Sequence, residues 1–467
     1  MDTSSPSEQG VRPDGISAFL DAIEGDPRIE PHGLIVQRHG RRIVEGYWSP
    51  HSADRIRLVY SLSKSFTGTA LGLLISEGRL SLDDLVSDHL PELFDAGTPA
   101  ALRRLRIRHI ASMASGHAAE TLLDAVVADP DDPVRGFLTL APDAEPGTLF
   151  AYNQPPVLTL ARILQGLAGE RLVDYLRQRV LDPIGAGDLR WRQLPLGFDM
   201  GFSGVFTDLD TVARLGQLYL DDGVWSGRRV LPAGWVAEAS SMQTPNGSWD
   251  QIDWQQGYGF QFWMSRHGYR GDGAFGQFMV ILPEQDTVVA MFSCTDEMQT
   301  VLDAMWEHLL PAIRDDEHAR SEPTAGDDAL ARRMATLSLP TVAERRGGRP
   351  PGDVSVMTLQ RHPTAASHFT VTSIRTDGSR IVVQEDDGSI ELPLTERWSI
   401  VDDTIASSAT RLDDGTIAVD LVFLATPHRL EIELDPAAGT FVARWPLMPL
   451  FGVGPDHRLA SLRAPAD

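Results

Sequence analysis

Tyr60-Ser61-Leu62-Ser63-Lys64-Ser65-Phe66-Thr67-Gly68 is the stretch on which the reading of this chain turns. From Ser61 onward, apolar side chains recur at Phe66, Ala70, Leu73 and Leu74, and Gly78 follows. That spacing predicts a helix over residues 61–77 with a glycine stop. Residues three apart lie on one helix face, so the Ser61 hydroxyl and the Lys64 amine can meet. The positive end of the helix dipole disfavours an ammonium and favours an alkoxide, and burial moves a lysine pKa in the same direction. A neutral lysine can take the serine proton, whereas arginine cannot be deprotonated in a protein. The chain contains 40 arginines and a single lysine, Lys64. A bias that writes arginine wherever either residue serves has spared the one position where a proton must come off. The blander alternative, a solvent-facing helix start with capping serines, explains neither the lone lysine nor the apolar continuation.

Composition bounds what this pair can belong to. A chain of 467 residues suits two or three domains, and 42% apolar with 23% charged residues is ordinary for a globular protein. A net charge of −24 repels phosphate backbones and anionic lipid, which argues against nucleic acid or a membrane surface as partner. No apolar run approaches the length of a spanning helix. The opening Met1-Asp2-Thr3-Ser4-Ser5-Pro6 lacks the basic-then-apolar order of a signal peptide. Cys294 is the only cysteine, so an internal disulfide is impossible and the expected location is the cytoplasm. The 13 histidines form no metal-ligand spacing, and P-loop, Gly-x-Gly-x-x-Gly and Gly-x-Ser-x-Gly patterns are missing. Neither a metal nor an organic cofactor is expected.

Outward from the helix, residues 33–38 and 42–48 flank His39-Gly40-Arg41 and read as a hairpin. Residues 155–167, 173–180 and 208–219 read as helices. Strands return at 258–265, 278–282 and 287–293, and 300–313 closes with a helix. The pattern predicts an α/β catalytic domain over residues 14–315, with an antiparallel sheet flanked by helices and a helical lobe. Residues 1–13 are polar and are expected to form a disordered tail. Residues 316–350 read as a linker ending in the breaker Arg345-Arg346-Gly347-Gly348-Arg349-Pro350-Pro351. Beyond it, residues 351–467 carry about eight short strands separated by Asp377-Gly378, Asp387-Gly388 and Asp414-Gly415 turns, which suggests a small antiparallel β-barrel or sandwich. This second domain is expected to shape the cleft or to mediate assembly, so a homo-oligomer stays open.

Several segments, in order, resemble the serine β-lactamase and penicillin-binding-protein superfamily, specifically the class C β-lactamase-like serine hydrolases. The nucleophile region is the nine-residue stretch quoted first. Leu80-Ser81-Leu82-Asp83-Asp84, Ile110-Ala111-Ser112-Met113-Ala114-Ser115-Gly116-His117, Pro146-Gly147-Thr148-Leu149-Phe150-Ala151-Tyr152-Asn153, and residues 208–235 and 273–283 follow. The resemblance implies Ser61 as nucleophile with Lys64 and Tyr152 as its proton-handling partners; which of the two takes the proton stays open. The family's Tyr-x-Asn becomes Tyr152-x-Gln154 here, which keeps the amide and adds a methylene. The third family motif, Lys-Thr-Gly or His-x-Gly on an edge strand, aligns with Gly271-Asp272-Gly273, without the basic residue. His267 lies just upstream as a substitute if the strand is offset. The resemblance further implies an oxyanion hole built from the backbone N–H groups of Ser61 and Ala274. His117 reads as structural. The implied activity is hydrolysis of small ester or amide substrates through an acyl-enzyme. The alternatives are a D-aminoacyl peptidase or transacylase of specialised metabolism, a weak β-lactamase, and a catalytically dead binding protein.

Overall fold

The computed structural model of the chain describes residues 1–194, 196–247, 249–314, 320–368, 370–450 and 458–463. The expected boundary at residue 315, and the first residues of the expected linker, lie outside these.

Two sheets dominate the described residues. The first has six antiparallel strands: β1 (Glu30–Arg38), β2 (Arg41–Tyr47), β3 (Trp263–Met264), β4 (Tyr269–Gly273), β5 (Gln277–Leu282) and β6 (Thr287–Cys294). Their spatial order is β2-β1-β6-β5-β4-β3. β1 and β2 form the hairpin read from sequence; His39 and Gly40 turn the chain with positive φ. β5 and β6 are buried almost throughout, as continuous apolar strands covered on both faces should be. One cover is α1 (Pro13–Gly25), and another is α4 (Leu209–Leu220), which packs on β1, β5 and β6. On the helical side lie α2 (Ser63–Ser76) and α3 (Gln154–Ala168). Tyr60–Leu62 forms a single 3₁₀ turn, so Ser61 sits just ahead of α2.

β4 and the α2 entrance approach each other closely. A Cβ on Gly271 would lie 2.5 Å from Ser65 Oγ, and one on Gly273 would lie 2.0 Å from Val59 O. At 273 a Cβ would strike the backbone that leads into the Ser61 turn, and at 271 it would strike the Ser65 side chain on α2, so glycine lets the strand run close to both. The expected strand over 258–265 is shorter than read, and the Gly-rich stretch after it is the longer strand.

The N-terminal residues depart from expectation. Residues 1–13, expected as a disordered tail, are held: Ser7 N–H and Oγ–H donate to Asp327 at 3.0 and 2.6 Å, and Thr3 bridges Arg42. Asp327 belongs to α5 (Ala325–Met334), a helix with a Thr324 capping box inside the stretch expected as linker. Its partner contacts lie 320 residues apart in sequence, so composition alone could not reveal them. A second short helix, Val342–Arg346, follows and caps on Thr341.

The C-terminal sheet has nine strands among the described residues: β7 (Val354–Arg361), β8 (Ser373–Gly378), β9 (Arg380–Glu385), β10 (Gly388–Pro393), β11 (Ser399–Asp402), β12 (Ile405–Arg411), β13 (Ile417–Phe423), β14 (Arg429–Asp435) and β15 (Thr440–Arg444). The order β10-β9-β8-β7-β15-β14-β13-β12-β11 curls until its two ends meet, giving a nearly closed barrel. Its separate core includes Leu359, Ile374, Val383, Leu421, Ile432 and Phe441. No helix among the described residues is long and apolar enough to cross a membrane.

Candidate active site

Local structure singles out Ser61 among three neighbouring serines. Ser63 Oγ–H donates to Tyr60 O (2.6 Å) and accepts from Val205 N–H (3.0 Å), and Ser65 Oγ–H donates to Gln261 O (3.2 Å). Both are buried and serve to anchor α2. Ser61 alone is partly open to solvent, and its Oγ accepts from Lys64 Nζ at 3.2 Å.

Lys64 is 1% exposed. Its amine also donates to Gln154 Oε1 (2.7 Å) and Phe202 O (2.8 Å), and it lies 4.6 Å from the Tyr152 ring centroid. Three acceptors satisfy the three ammonium protons, yet burial dominates and pushes the Lys64 pKa down to about 7, against smaller opposing pulls from Glu120 and Asp272. Gln154, the departure from the family's asparagine, therefore does reach the lysine.

Tyr152 is placed by the chain before α3. Ala151 N–H donates to Met113 O (3.0 Å), and Asn153 Oδ1 accepts from both the N–H and the hydroxyl of Thr121 (3.0 Å each). The Tyr152 ring stacks on Trp263 at 5.0 Å, and the Lys64 amine lies over its face. Burial, followed by the nearby Asp272 charge, raises its pKa, so the phenol keeps its proton.

The third-motif residues Gly271, Asp272 and Gly273 lie on β4 next to the turn that carries Ser61, and Ala274 follows, packed against the cluster of Leu58, Tyr60 and Phe206. Asp272 is buried and paired with Arg270 Nε at 2.9 Å. Burial raises the Asp272 pKa, while Arg270 and then Lys64 oppose the rise. Arg270 cannot swing toward a ligand: its Nη1 donates to Asp253 O (2.9 Å), Ser265 Oγ (3.0 Å) and Met264 O (3.2 Å), and it stacks on Trp254. Arg266 is likewise held by Asp253. His267 is not brought to the site. It occupies the turn before β4, where its ring packs on Trp306 at 5.0 Å. His117 is buried between Ser115 (3.0 Å), Leu140 O (3.3 Å) and the Phe137 ring.

Two features escaped the sequence reading. Glu120 accepts the Gln154 N–H at 3.2 Å and acts electrostatically on Lys64 and Tyr152. It lines a cleft of about 480 Å³ with Phe150, Tyr152, Gln154, Trp249 and Asp250. The second feature is strain. Tyr60 (φ 49°) and Phe275 (φ 67°) are left-handed, non-glycine residues on either side of the implied oxyanion donors. Such residues cost about 1–3 kcal/mol each and persist only where surrounding structure holds them.

Elsewhere, Glu30, His32 and His51 offer ligand atoms within 4.8 Å of one another. Their neighbourhood already carries positive charge: Arg57 donates to His32 Nδ1 (2.7 Å) and Arg429 pairs with Glu30 (2.8 Å). A divalent cation there would face two guanidinium groups.

A partly exposed serine, a buried lysine three residues on that meets its oxygen, and a sheet strand with paired glycines beside them make a Ser-x-x-Lys arrangement suited to a serine hydrolase. The chain belongs to the beta-lactamase family, whose model matches residues 19–312. It is 28% identical over 334 residues to the 6-aminohexanoate-dimer hydrolase of Paenarthrobacter ureafaciens, covering 64% of this chain and 82% of that one. It is 26% identical over 331 residues to penicillin-binding protein 4 of Amycolatopsis lactamdurans, covering 62% and 84%. Among solved structures, EstCE1, a hydrolase with promiscuous acyltransferase activity, aligns with a TM-score of 0.51 at 18% identity, covering 63% and 98%.

Proposed function

We propose that this chain hydrolyses small neutral or cationic esters or amides through an acyl-enzyme on Ser61. The observation that carries the reading is the 3.2 Å contact between Ser61 Oγ and the amine of Lys64, whose pKa burial brings to about 7. Near neutrality about half of the Lys64 amine is unprotonated and can act as base, while Tyr152 stays a phenol. Lys64 takes the hydroxyl proton as Oγ attacks the carbonyl carbon. The N–H groups of Ser61 and Ala274 hold the resulting oxyanion. The tetrahedral species collapses, and the leaving alkoxide or amine regains a proton from the Lys64 ammonium, with the Tyr152 hydroxyl positioned to relay it. Water then attacks the acyl-Ser61 ester by the same route and releases the acid.

The pH dependence has a defined sign. Lys64 must be neutral to act, so kcat/KM is expected to rise about tenfold per pH unit below about 7 and to level off above it. A stopped-flow or steady-state profile with a nitrophenyl ester from about pH 5 to 9 reads this out. A rate that is flat through pH 7 rejects Lys64 as base.

Substrate charge follows from the cleft. Both charged residues lining it among the described residues, Glu120 and Asp250, are carboxylates, and Arg266 and Arg270 are engaged by Asp253 and Asp272. Two like unit charges about 4 Å apart interact by roughly 4 kcal/mol at a surface-like dielectric, and a fraction of that is tenfold in binding. A short-chain nitrophenyl ester is expected to show a specificity constant at least about tenfold above that of an anionic chromogenic cephalosporin, each corrected for spontaneous hydrolysis. The reverse order overturns the charge argument and favours the β-lactamase alternative.

A further inference from the structure

The hairpin that links β13 and β14 carries the C-terminal barrel to the catalytic turn. Ala425 O accepts the Leu58 N–H at 2.9 Å, and Thr426 O accepts from Arg57 Nη2 at 3.1 Å. Two residues further on, His428 is buried at 1% exposure, and the Tyr60 hydroxyl meets its Nε2 at 2.5 Å. The His428 ring also packs edge-on against Phe275 at 4.7 Å, and Phe275 packs on Tyr60 at 5.2 Å. Three rings thus close on one another. Two belong to the strained residues beside Ser61 and Ala274; the third comes from the barrel.

We propose that His428 is a positioning residue for catalysis: it clamps Tyr60 and Phe275 so that the Ser61 and Ala274 N–H groups converge on one oxyanion. The inference rests on the serine-hydrolase reading of the site. Neither Tyr60 nor Phe275 has glycine's freedom at positive φ, and each has a ring whose packing fixes that conformation. The Tyr60 hydroxyl finds its acceptor in the barrel, 368 residues along the chain. Burial keeps the His428 imidazole neutral and the Tyr60 phenol protonated, and with the imidazole proton on Nδ1 the Tyr60 O–H donates and Nε2 accepts. The barrel therefore supplies part of the frame on which the oxyanion hole is built, and a small displacement there misaligns two donors at once.

The test uses the full chain and three variants. His428→Leu removes the acceptor, Tyr60→Phe removes the donor while keeping all three rings, and His428→Gln restores an acceptor near the Nε2 position. With a nitrophenyl ester, His428→Leu and Tyr60→Phe are each expected to lower kcat by at least about tenfold, with KM within about threefold, since misplacement on the ångström scale is costly in the transition state rather than in substrate binding. His428→Gln is expected to recover a substantial part of the loss. Thermal melts establish that each variant is folded. Should His428→Leu fail to fold, Tyr60→Phe reads the same bond. A Tyr60→Phe variant with kcat within about twofold of wild type overturns the proposal, as does an equal fall in His428→Gln and His428→Leu. A wild-type protein that neither hydrolyses the ester nor takes a fluorophosphonate label overturns the hydrolase reading itself, which is a separate outcome.

Discussion

Changing Ser61 to alanine is expected to remove hydrolysis by a factor on the order of 10⁶, the scale seen when a serine nucleophile is deleted. A fluorophosphonate probe should add once to the wild-type chain, at Ser61, and should not add to Ser61→Ala. The prediction is specific because the competing hydroxyls are already committed. Ser63 Oγ links Tyr60 O to Val205 N–H, and Ser65 Oγ is spent on Gln261 O against the backbone of Gly271. Only Ser61 combines partial exposure with an amine at its oxygen. Peptide mapping that places the label on Ser63 or Ser65 would sink the assignment.

The second large effect is expected at Lys64. Lys64→Arg keeps a positive charge and a donor, yet a guanidinium stays protonated at any working pH. Its loss as base should lower kcat/KM by at least roughly 10²–10⁴-fold. The longer guanidinium would also have to displace Nζ's contacts with Ser61 Oγ, Gln154 Oε1 and Phe202 O. Retention of the fold is checked by the melt, and labelling of Ser61 by the probe should slow as well, because it draws on the same base. A Lys64→Arg variant within a few-fold of wild type would show that Lys64 acts only as a charge.

The Ser61–Lys64 contact was legible in the sequence because it is local. Three residues of helical spacing and one lysine among 40 arginines carry the information in a single stretch. The paired glycines of β4 were visible too, although their reason, the approach to Ser65 and Val59, is a tertiary fact. Glu120 was not legible: an exposed acidic residue on a loop is ordinary until Gln154 N–H is found against it. His267 misled because proximity in sequence stood in for direction. β4 carries residues 269–273 toward Ser61, while His267 remains in the turn before that strand. In the barrel, β12 leaves little trace in the sequence for a related reason. Ile405-Ala406-Ser407-Ser408-Ala409-Thr410-Arg411 lacks alternation and bulk, yet its small side chains are nearly all buried between β11 and β13. Small residues in a central strand leave no periodic signal for a sequence reading to catch.

The solitary lysine has one further consequence, which is analytical. In most proteins ε-amine acylation is spread over many exposed positions and says little about any one of them. In this chain every ε-amine event is an event at Lys64, a group 1% exposed among Tyr152, Gln154 and Phe202. The extent of its carbamylation or acetylation, counted by intact mass and assigned by peptide mapping, measures directly how often the cleft admits a small electrophile. Protection against that modification would titrate occupied sites for any ligand, whatever the reaction and without a chromogenic substrate.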